Sequence, residues 1–554
     1  MIDLELPLSK RTPKYRLFEM LPAILSYGAI IILVVFSIIN PNIASIYLMA
    51  VIITLLVKFV GIAFHTISGY NKLVAAQKVD WHARLMDFED PVRAYERFEK
   101  TTSRGFGVTE HLNNLRIMAD NPARFPKPSQ LLQAVVVAAY NEAYDVIQPT
   151  LESVKNTTYD NKKMIIFFAY EERGGVEIER TVKRLQAEYR NTFYDFQIVK
   201  HPKDLPGEVM GKGPNITYAG YKLKEYCDQN KISYADVIVT TLDCDNKPHA
   251  AYFDSTAYEF IAHENRQRLS YQPVALYFGN IWDAPAPMRV IATGNSFWTI
   301  ICSMRPHTLR NFAAHSQPLE ALVGMNFWST RSIVEDGHQY WRSYFYFGGD
   351  YDLVPIHVPI YQDAVMADTL KKTFVNQFKQ LRRWSYGASD VPYVAVRLFT
   401  KKRNVPFFEG FARFVRLVDS HITLAAISIL VTFGGWVPLL VNPQASHSIA
   451  AHQLPEVVSI IQRIAMVGIF ITIFLMLKML PPRPERYKRR RTVFMVLQWV
   501  LMPITSVCFN SVAAYNAQTR LAFGKYLDKF DVTEKATLRS QAAAKANKQG
   551  AKAK

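Results

Sequence analysis

The stretch that decides the fold is ADVIVTTLDCD, residues 235–245. It begins as a continuous apolar run rich in β-branched residues, which is typical of a strand buried on both faces of a sheet. Similar runs stand at 131–142 (LLQAVVVAAYNE), 164–170 (MIIFFAY) and 196–201 (FQIVKH), with helix-like segments between them. This alternation predicts an α/β domain with a mainly parallel sheet.

Polar and acidic residues follow two of these runs. Tyr140, Asn141 and Glu142 come directly after the first run, and Asp243 and Asp245 end the fourth. In parallel sheets, ligands bind beyond the carboxyl ends of the strands. Two carboxylates one residue apart are suited to Mg²⁺ or Mn²⁺ bridging to substrate phosphates. A turn or helix cap would explain a lone D-x-D motif, but its place at a strand end favours the metal.

Two further motifs carry chemistry that a phosphate substrate would need. MGKGPN, residues 210–215, places Lys212 at a predicted helix start beside glycines, which suits a diphosphate although it is not a Walker motif. SIVEDGHQYW, residues 332–341, contains the adjacent carboxylates Glu335 and Asp336. An Asp within hydrogen-bond reach of a hydroxyl can take its proton as a general base. The simpler explanation of MGKGPN is an ordinary loop, and that of the Glu335-Asp336 pair is a solvated loop or helix cap.

The segment LKKTFVNQFKQLRRWSYG, residues 370–387, places Gln380, Arg383 and Trp384 at i, i+3 and i+4, which is one face of a helix. The planar Arg fork suits a phosphate, and the flat face of Trp suits a sugar ring. A basic amphipathic helix that rests on lipid headgroups would produce the same pattern, and the two interpretations are compatible.

Long apolar runs at both ends of the chain predict membrane spans. The first two runs are 21–39 and 43–64, and three more stand at about 418–441, 460–480 and 493–515. Basic clusters precede the first run and follow the fourth, whereas the loops at the opposite ends contain no Lys or Arg. By the positive-inside rule, the N-terminus and the region between the two sets of spans are cytoplasmic.

One feature of this topology conflicts with the charge rule. Five full spans would place the basic C-terminal residues outside. Either the run 493–515, which Pro503 interrupts, enters the membrane and returns, or a span has been missed. We expect the tail to be cytoplasmic.

Composition narrows the class of protein further. The net charge of +18 lies largely in clusters that flank the spans and in the tail, which favours attraction to a membrane surface over nucleic-acid binding. The four cysteines, Cys227, Cys244, Cys302 and Cys508, form no C-x-x-C pair and no metal spacing. This usage fits a reduced compartment and argues against a disulfide framework or a zinc site.

The motifs AAYNE, GKGPN, DCD, VED and QLRRW, in that order between apolar ends, resemble the membrane-embedded family 2 glycosyltransferases, which include cellulose and hyaluronan synthases. The resemblance covers residues 130–390 and extends to the stretch 525–535 (KYLDKFDVTEK). It implies a GT-A-like nucleotide-diphospho-sugar transferase domain. The implied reaction is an inverting transfer from a nucleotide-sugar, with a UDP-sugar favoured, to a polysaccharide or lipid-linked acceptor at the cytoplasmic face of the cell membrane.

The resemblance also implies roles for individual residues. The residues after the first strand would line the nucleotide pocket, and Lys212 would contact the diphosphate. The D-x-D motif would hold the nucleotide and a Mg²⁺ or Mn²⁺ ion. Asp336 would be the base, and the helical face with Gln380, Arg383 and Trp384 would bind the diphosphate and stack on the acceptor sugar. The implied binding residues are Tyr140, Glu142, Glu171, Lys212, Asp243, Asp245, Gln380, Arg383 and Trp384. One departure concerns the acidic pair after the second strand, which is usually Asp-Asp and is here Glu171-Glu172, so the donor stays open.

These observations divide the chain into a transmembrane hairpin (1–68), a helical or irregular lead-in (69–129), the catalytic domain (130–390), interfacial helices (391–418), a transmembrane region (419–520) and a basic, disordered tail (521–554). The interfacial assignment depends on an apolar stripe made by Phe407, Phe411, Phe414 and Val418. GNSFW (294–298) and VGMNFW (323–328) are candidate acceptor-side loops, although core packing explains their aromatic residues equally well.

Two other functions fit part of the sequence. A non-processive lipid glycosyltransferase would use the same site and acts on the same class of donor. A nucleotide-binding transporter or scaffold would explain the spans and the Gly-Lys-Gly motif, but not VED followed by QLRRW, and five spans are few for a transporter.

Overall fold

The computed structural model describes residues 3–7, 11–99 and 105–527. Residues 528–554, which make up most of the predicted disordered tail and part of the KYLDKFDVTEK stretch, lie outside the described residues.

The strands of the described chain form one eight-stranded sheet in the order β3-β2-β1-β4-β7-β6-β8-β5. Their bounds are β1 Leu132–Ala139, β2 Met164–Glu171, β3 Asp195–His201, β4 Val237–Asp243, β5 Lys247–Pro248, β6 Leu269–Leu276, β7 His315–Pro318 and β8 Asp352–Tyr361. The apolar runs that predicted the first four strands match them within a few residues.

The sheet is mixed, with its parallel half first in the chain. β1 pairs in parallel with β2 and β4, β2 pairs with β3, and β6 pairs with β8, whereas β7 is antiparallel to β4 and β6, and β5 to β8. The central strands β1 and β2 are buried along almost their whole length. The predicted fold class, a GT-A-like α/β domain between apolar helices, is confirmed.

Helices precede the first strand, connect the strands and follow the last strand in the chain. Those before β1 are α1 Pro13–Ile39, α2 Pro41–Ala76, α3 Trp81–Met86, α4 Pro91–Glu99 and α5 Val108–Asp120. Those between the strands are α6 Tyr144–Lys155, α7 Val176–Tyr189, α8 Lys212–Asn230, α9 Tyr252–Ala262, α10 Ala286–Ser303, α11 Leu319–Gly324 and α12 Glu335–Tyr346. Those after β8 are α13 Leu370–Ser385, α14 Asp390–Leu398, α15 Phe407–Phe433, α16 Val437–Val441, α17 Ile449–Met479, α18 Arg490–Leu497, α19 Met502–Thr505 and α20 Val512–Ala522.

Within the described residues, five helical segments are long and apolar enough to cross a membrane. They are 13–39, 41–76, 407–441, 449–479 and 490–522, each longer than the apolar run that predicted it, because polar flanking residues continue the helices. The stripe from Phe407 to Val418 is not a separate interfacial helix. It forms the first turns of α15, which continues because the sequence from 407 to 433 contains no Pro to end it.

The lead-in folds as three short helices that pack on the α/β domain. The indole ring of Trp81 in α3 lies 5.3 Å from the ring of Tyr258 in α9, centroid to centroid. Phe88 stacks on the same Tyr258 ring at 4.7 Å. Trp81 and Phe88 of the lead-in are therefore part of the core of the α/β domain.

Residues 3–7 lie against the domain as an extended strap. The side chains of Leu4 and Leu6 are buried, and Glu5 forms an ion pair with Arg342 of α12, whose side chain is 1% exposed. The hydroxyl of Tyr393 in α14 donates to the backbone oxygen of Leu4 at 3.1 Å. The strap therefore joins α12 and α14.

Candidate active site

A cavity of about 500 Å³ opens at the carboxyl ends of β1, β2 and β4. All ten predicted site residues line it: Tyr140, Glu142, Glu171, Lys212, Asp243, Asp245, Asp336, Gln380, Arg383 and Trp384. The structure thus brings together motifs that are up to 244 residues apart in sequence. Their individual roles remain predictions.

The turn after β1 forms the first wall of the cavity. The carboxylate of Glu142 accepts a hydrogen bond from the backbone N–H of Tyr140 at 2.7 Å, which closes the turn. The side-chain amide of Asn215 in α8 donates to Ala139 at 3.4 Å and to Ala169 at 3.2 Å. These bonds hold the ends of β1 and β2 together beneath the cavity.

Only one residue of the Glu171-Glu172 pair faces the cavity. Glu171 is 5% exposed, its carboxylate accepts hydrogen bonds from the guanidinium of Arg173, and burial raises its pKa above the usual range. Glu172 lies outside the cavity, where it accepts from the backbone N–H of Lys203 and pairs with Lys200. Arg173 also lines the cavity, so a carboxyl group and a guanidinium lie side by side at this wall.

Lys212 connects the Gly-rich segment MGKGPN with the D-x-D motif. It is the first residue of α8, and its ammonium lies 2.7 Å from Asp243 Oδ1 and donates to the backbone oxygen of Ala313 at 2.8 Å. Burial lowers the pKa of Lys212, but the carboxylates of Asp243, Glu335 and Asp336 outweigh it, and the net pKa is raised. A buried cation is therefore fixed at the centre of the acidic cavity.

The residues Asp243 to Asn246 form a fixed turn at the end of β4. The side-chain oxygen of Asn246 accepts from the backbone N–H of Asp243 at 2.9 Å, and its amide donates to Asp245 Oδ1 at 3.3 Å. Thr150 in α6 donates to the backbone oxygen of Cys244 at 2.8 Å. Asp245, 7% exposed, is held at the cavity wall by this turn.

The donor set at this turn fits a divalent cation that shares its coordination with a substrate. Among the described ranges, no group of three or more His, Cys, Asp or Glu residues is placed to hold a metal, so these side chains form no cage of their own. Mg²⁺ needs only one or two carboxylates when substrate phosphates and waters complete its octahedron. Asp243 and Asp245 are therefore the candidate carboxylate ligands at this turn.

Asp336 stands in the first turn of α12. Its Oδ1 accepts from the backbone N–H of Gly337 at 2.7 Å, and the positive end of the helix dipole stabilises its charge. Burial nevertheless raises the pKa of Asp336 and of the adjacent Glu335 above their usual ranges, and the charge of Asp336 adds to the rise at Glu335. Glu335 is 3% exposed, whereas Asp336 is half-buried and open to the cavity.

The predicted helix through QLRRW is α13, and Gln380, Arg383 and Trp384 all face the cavity from it. The amide of Gln377 donates to Gln380 Oε1 at 3.1 Å. The ring of Trp384 lies 6.0 Å from that of Tyr277, inclined by 52°. The helix thus presents a polar and aromatic surface toward the carboxylates.

The two aromatic motifs have different fates, and neither is simply a loop. GNSFW lies inside α10, where Phe297 is buried but Trp298 is 51% exposed and lines the cavity. VGMNFW spans the end of α11 and the turn after it, and Phe327 and Trp328 are fully buried. The second motif is therefore core packing, and its indole N–H donates to His315 Nε2 at 3.2 Å.

Several cavity residues were not identified from the sequence. Arg173, Tyr277, Arg310, Asp363 and Asp390 all line the cavity. Arg173 follows the acidic pair directly and could have been suspected from that position. The other four stand in segments without a recognisable motif, and only the folded chain places them here.

No family model matches the chain, and no curated protein matches it. Among solved structures, it aligns with the mannosyltransferase PcManGT from Pyrobaculum calidifontis in complex with GDP-Man and Mn²⁺ at 12% identity and a TM-score of 0.40, covering 84% of this chain and 100% of that one. It aligns with TarS 1-349 of S. aureus at 10% identity and 0.32, covering 72% and 93%, and with the UDP complex of TarS 1-349 at 9% and 0.31, covering 73% and 95%. Scores this low carry no argument about function, which is inferred below from the cavity.

Proposed function

We propose that this protein is a membrane-bound glycosyltransferase that moves a sugar from a nucleotide-sugar to a polysaccharide or lipid-linked acceptor, with inversion at the anomeric carbon. One observation carries the proposal. A single cavity is lined by an ammonium suited to phosphate binding (Lys212), the D-x-D carboxylates, an Asp at a helix start (Asp336) and a guanidinium (Arg383). These are the groups that such a transfer needs, and they come from four separate motifs.

The proposed chemistry is one displacement. Asp336 takes the proton of an acceptor hydroxyl, and the hydroxyl oxygen forms a bond to the anomeric carbon as the bond from that carbon to the diphosphate oxygen breaks. The electron pair of the broken bond stays on the nucleoside diphosphate. Lys212 and Arg383 stabilise the negative charge that develops there, in a cavity from which water is partly excluded.

We propose that Asp245 holds a Mg²⁺ or Mn²⁺ ion together with the donor diphosphate. When bound, the cation would neutralise charge on the leaving group. The hydrogen-bonded turn from Asp243 to Asn246 keeps the carboxylate of Asp245 oriented for this purpose.

The wall formed by Tyr140, Glu142, Glu171 and Arg173 is the proposed nucleotide end of the cavity. Glu171 accepts and Arg173 donates, so together they complement a base edge that presents an N–H beside a carbonyl, as uracil does. We therefore favour a UDP-sugar, although guanine offers a similar edge and the choice of donor rests on this pair.

The cavity also has an aromatic end, and we assign the acceptor to it. Trp384, Tyr277 and the exposed Trp298 line this part. Flat aromatic faces stack on sugar rings, which favours a carbohydrate acceptor over a simple alcohol. Whether transfer is repeated on one chain or occurs once on a lipid-linked sugar depends on the product.

The basic clusters that flank the predicted spans support a protein anchored in the cell membrane with its α/β domain on the cytoplasmic side. A nucleotide-binding transporter or scaffold would need neither Asp336 nor the aromatic end of the cavity. No nucleic-acid partner is proposed.

The test is sugar transfer by the purified chain from a panel of radiolabelled nucleotide-sugars, with Asp336→Asn as the matched control. We expect one donor to give a labelled product that the control lacks. A ladder of products would indicate repeated transfer, and one lipid-soluble product a single transfer. Binding of nucleotide without transfer from any donor would overturn the proposal.

A further inference from the structure

The fifth apolar segment, residues 490–522, begins and ends on the same side of the helices. Near its start, the guanidinium of Arg491 donates to the backbone oxygen of Trp282 in the α/β domain at 2.7 Å. At its end, Arg16 in the first turn of α1 donates to the backbone oxygen of Ala522 at 2.7 Å. Both contacts lie at the α/β side of the helices.

The other four membrane-length segments run to the opposite side. There, the amide of Asn442 after α16 donates to the backbone oxygen of Ser37 near the end of α1 at 3.0 Å. The hydroxyl of Ser448, before α17, donates to Asn42 Oδ1 at the start of α2 at 2.6 Å. Polar loops therefore meet at this far side, and the contacts of 490–522 are with the α/β side.

The hydrogen bonds made by the second half of the segment also stay well short of the far side. Tyr515 donates to the backbone oxygen of Ser26, close to the start of the apolar run 21–39 of α1, at 2.9 Å. The amide of Gln518 donates to the backbone oxygen of His421 in α15 at 3.0 Å. Pro503 and a wider turn of helix at 506–511 break the segment into short pieces, which lets it change direction.

One face of the first half of this segment packs beneath α10. Met495, Gln498 and Trp499 are buried, and the side-chain oxygen of Gln498 accepts from Arg289 Nε at 2.5 Å. The segment is thus fixed to the α/β domain by one face.

The other face is apolar and exposed. Its members share one helical stripe and are each 54–76% exposed: Val493, Phe494, Leu497, Val500 and Ile504. A group of exposed basic residues directly precedes the stripe: Arg483, Lys488, Arg489 and Arg490. An apolar stripe beside a basic cluster fits the boundary between the acyl chains and the headgroups of an anionic leaflet.

We propose that 490–522 is not a fifth span but lies along the membrane surface on the α/β side, with its apolar stripe in the lipid boundary and its basic cluster on anionic phospholipid headgroups. The chain then crosses the membrane four times. Residue 522 and the residues after it emerge on the side of the cavity, which agrees with the charge rule. This proposal does not depend on the proposed enzymatic function.

The number of crossings can be tested by labelling single cysteines with a membrane-impermeant maleimide in sealed vesicles of the full chain. The background is Cys508→Ser, because Cys508 is exposed and Cys227, Cys244 and Cys302 are buried. Lys525→Cys should label from the same side as Lys401→Cys, and Gln444→Cys from the opposite side. Labelling of Lys525→Cys together with Gln444→Cys would overturn the proposal.

The orientation of the stripe can be tested by nitroxide labels at positions 494, 497, 500 and 504, with depth measured from oxygen and nickel-chelate accessibility. A surface segment should give nearly equal, shallow depths. A crossing helix would deepen by about 15 Å over ten residues, at 1.5 Å per residue. Such a gradient would exclude the surface arrangement.

The headgroup contact can be tested by thermal unfolding in nanodiscs of phosphatidylcholine with and without phosphatidylglycerol at low salt. We expect phosphatidylglycerol to raise the midpoint by a few degrees, and Lys488→Gln/Arg489→Gln/Arg490→Gln to lose most of this gain. The control Lys222→Gln/Lys224→Gln removes two exposed charges on α8 and should keep it. An equal gain in both variants would refute the headgroup contact.

Discussion

The imidazole Nδ1 of His338 lies 2.6 Å from Asp390 Oδ1, and both side chains are nearly fully buried. His338 stands one turn or less from Asp336 in α12, and Asp390 is the first residue of α14, directly after the QLRRW helix. The ring of His338 also packs edge-on against Tyr393 at 4.5 Å. This pair fixes α12, which carries the proposed base, relative to α14, which follows the helix of Arg383 in the chain.

We therefore expect Asp390→Ala to lower kcat more than it raises the KM for the donor, by roughly 10- to 100-fold, because small displacements of positioned groups are costly. Asp390→Asn keeps an oxygen that can accept from Nδ1 and should recover much of the rate. Initial-rate kinetics on both variants measure this. Equal losses in Asn and Ala variants, or a loss confined to KM, would argue against positioning.

Asp336→Asn should abolish transfer while nucleotide binding persists. The amide keeps the shape and most hydrogen bonds but cannot accept a proton, and positioned bases contribute about 10² to 10⁴ in rate. Arg383→Ala should instead weaken binding of UDP, because it removes a fork that contacts phosphate in both donor and product. Calorimetric UDP titration beside rate assays separates the two. An Asn variant with more than about half of the normal rate would transfer the role to Glu335 or to a water.

Asp245→Asn should remove dependence on a divalent cation together with activity. The carboxylate contributes charge to the cation, and an amide is a far weaker ligand for a hard ion. Two readouts apply: transfer with EDTA, and the shift in unfolding temperature caused by Mn²⁺ in the presence of UDP. Asp363→Asn is the matched control, because Asp363 lines the same cavity but pairs with Lys247. Full activity with EDTA in the native chain would remove the metal role.

Glu335→Gln should make stability less sensitive to a rise in pH from about 4.5 to about 8. Burial and the charge of Asp336 raise the pKa of Glu335 from 4.5 to about 8. An acid whose folded-state pKa is raised stabilises the fold at low pH, and this contribution is lost as pH rises from about 4.5 through about 8. The native chain should therefore lose more unfolding free energy over this window than the Gln variant. Parallel losses in denaturant titrations would contradict the assignment.

Trp298→Ala should raise the KM for the acceptor and leave UDP binding unchanged, because this exposed indole lines the aromatic end of the cavity. Trp298→Phe keeps a flat ring and should retain most of the affinity. Acceptor titrations at saturating donor measure both. A change in UDP binding of similar size would place Trp298 at the donor instead.

The strands and the cavity residues could be predicted because each signal is local. The β1, β2 and β4 runs are buried on both faces, and the residues that follow parallel strands must meet at one edge of the sheet. The spacing of Gln380, Arg383 and Trp384 fixed a shared helical face in the same way. In each case a few neighbouring residues contain the whole argument.

The rest depends on contacts between distant segments. His338 lies in the quoted stretch SIVEDGHQYW, but Asp390 is 52 residues away and belongs to no motif, so their pairing could not be predicted. Trp298 and Trp328 both follow a Phe in motifs of similar composition, yet one lines the cavity and the other is core, because the packing of α10 and α11 decides exposure. Hydropathy also gives the length of an apolar segment but not its orientation to the membrane, so it counts 490–522 as a span.

The strap at residues 3–7 has a consequence for biosynthesis. Leu4 accepts from Tyr393, which leaves the ribosome 389 residues later. At about 5 to 20 residues per second, that delay is roughly 20 to 80 s. During this time two membrane helices are inserted behind the strap while Leu4 and Leu6 have no core to enter. After its own synthesis the strap therefore waits until Tyr393 has been made before this contact can form.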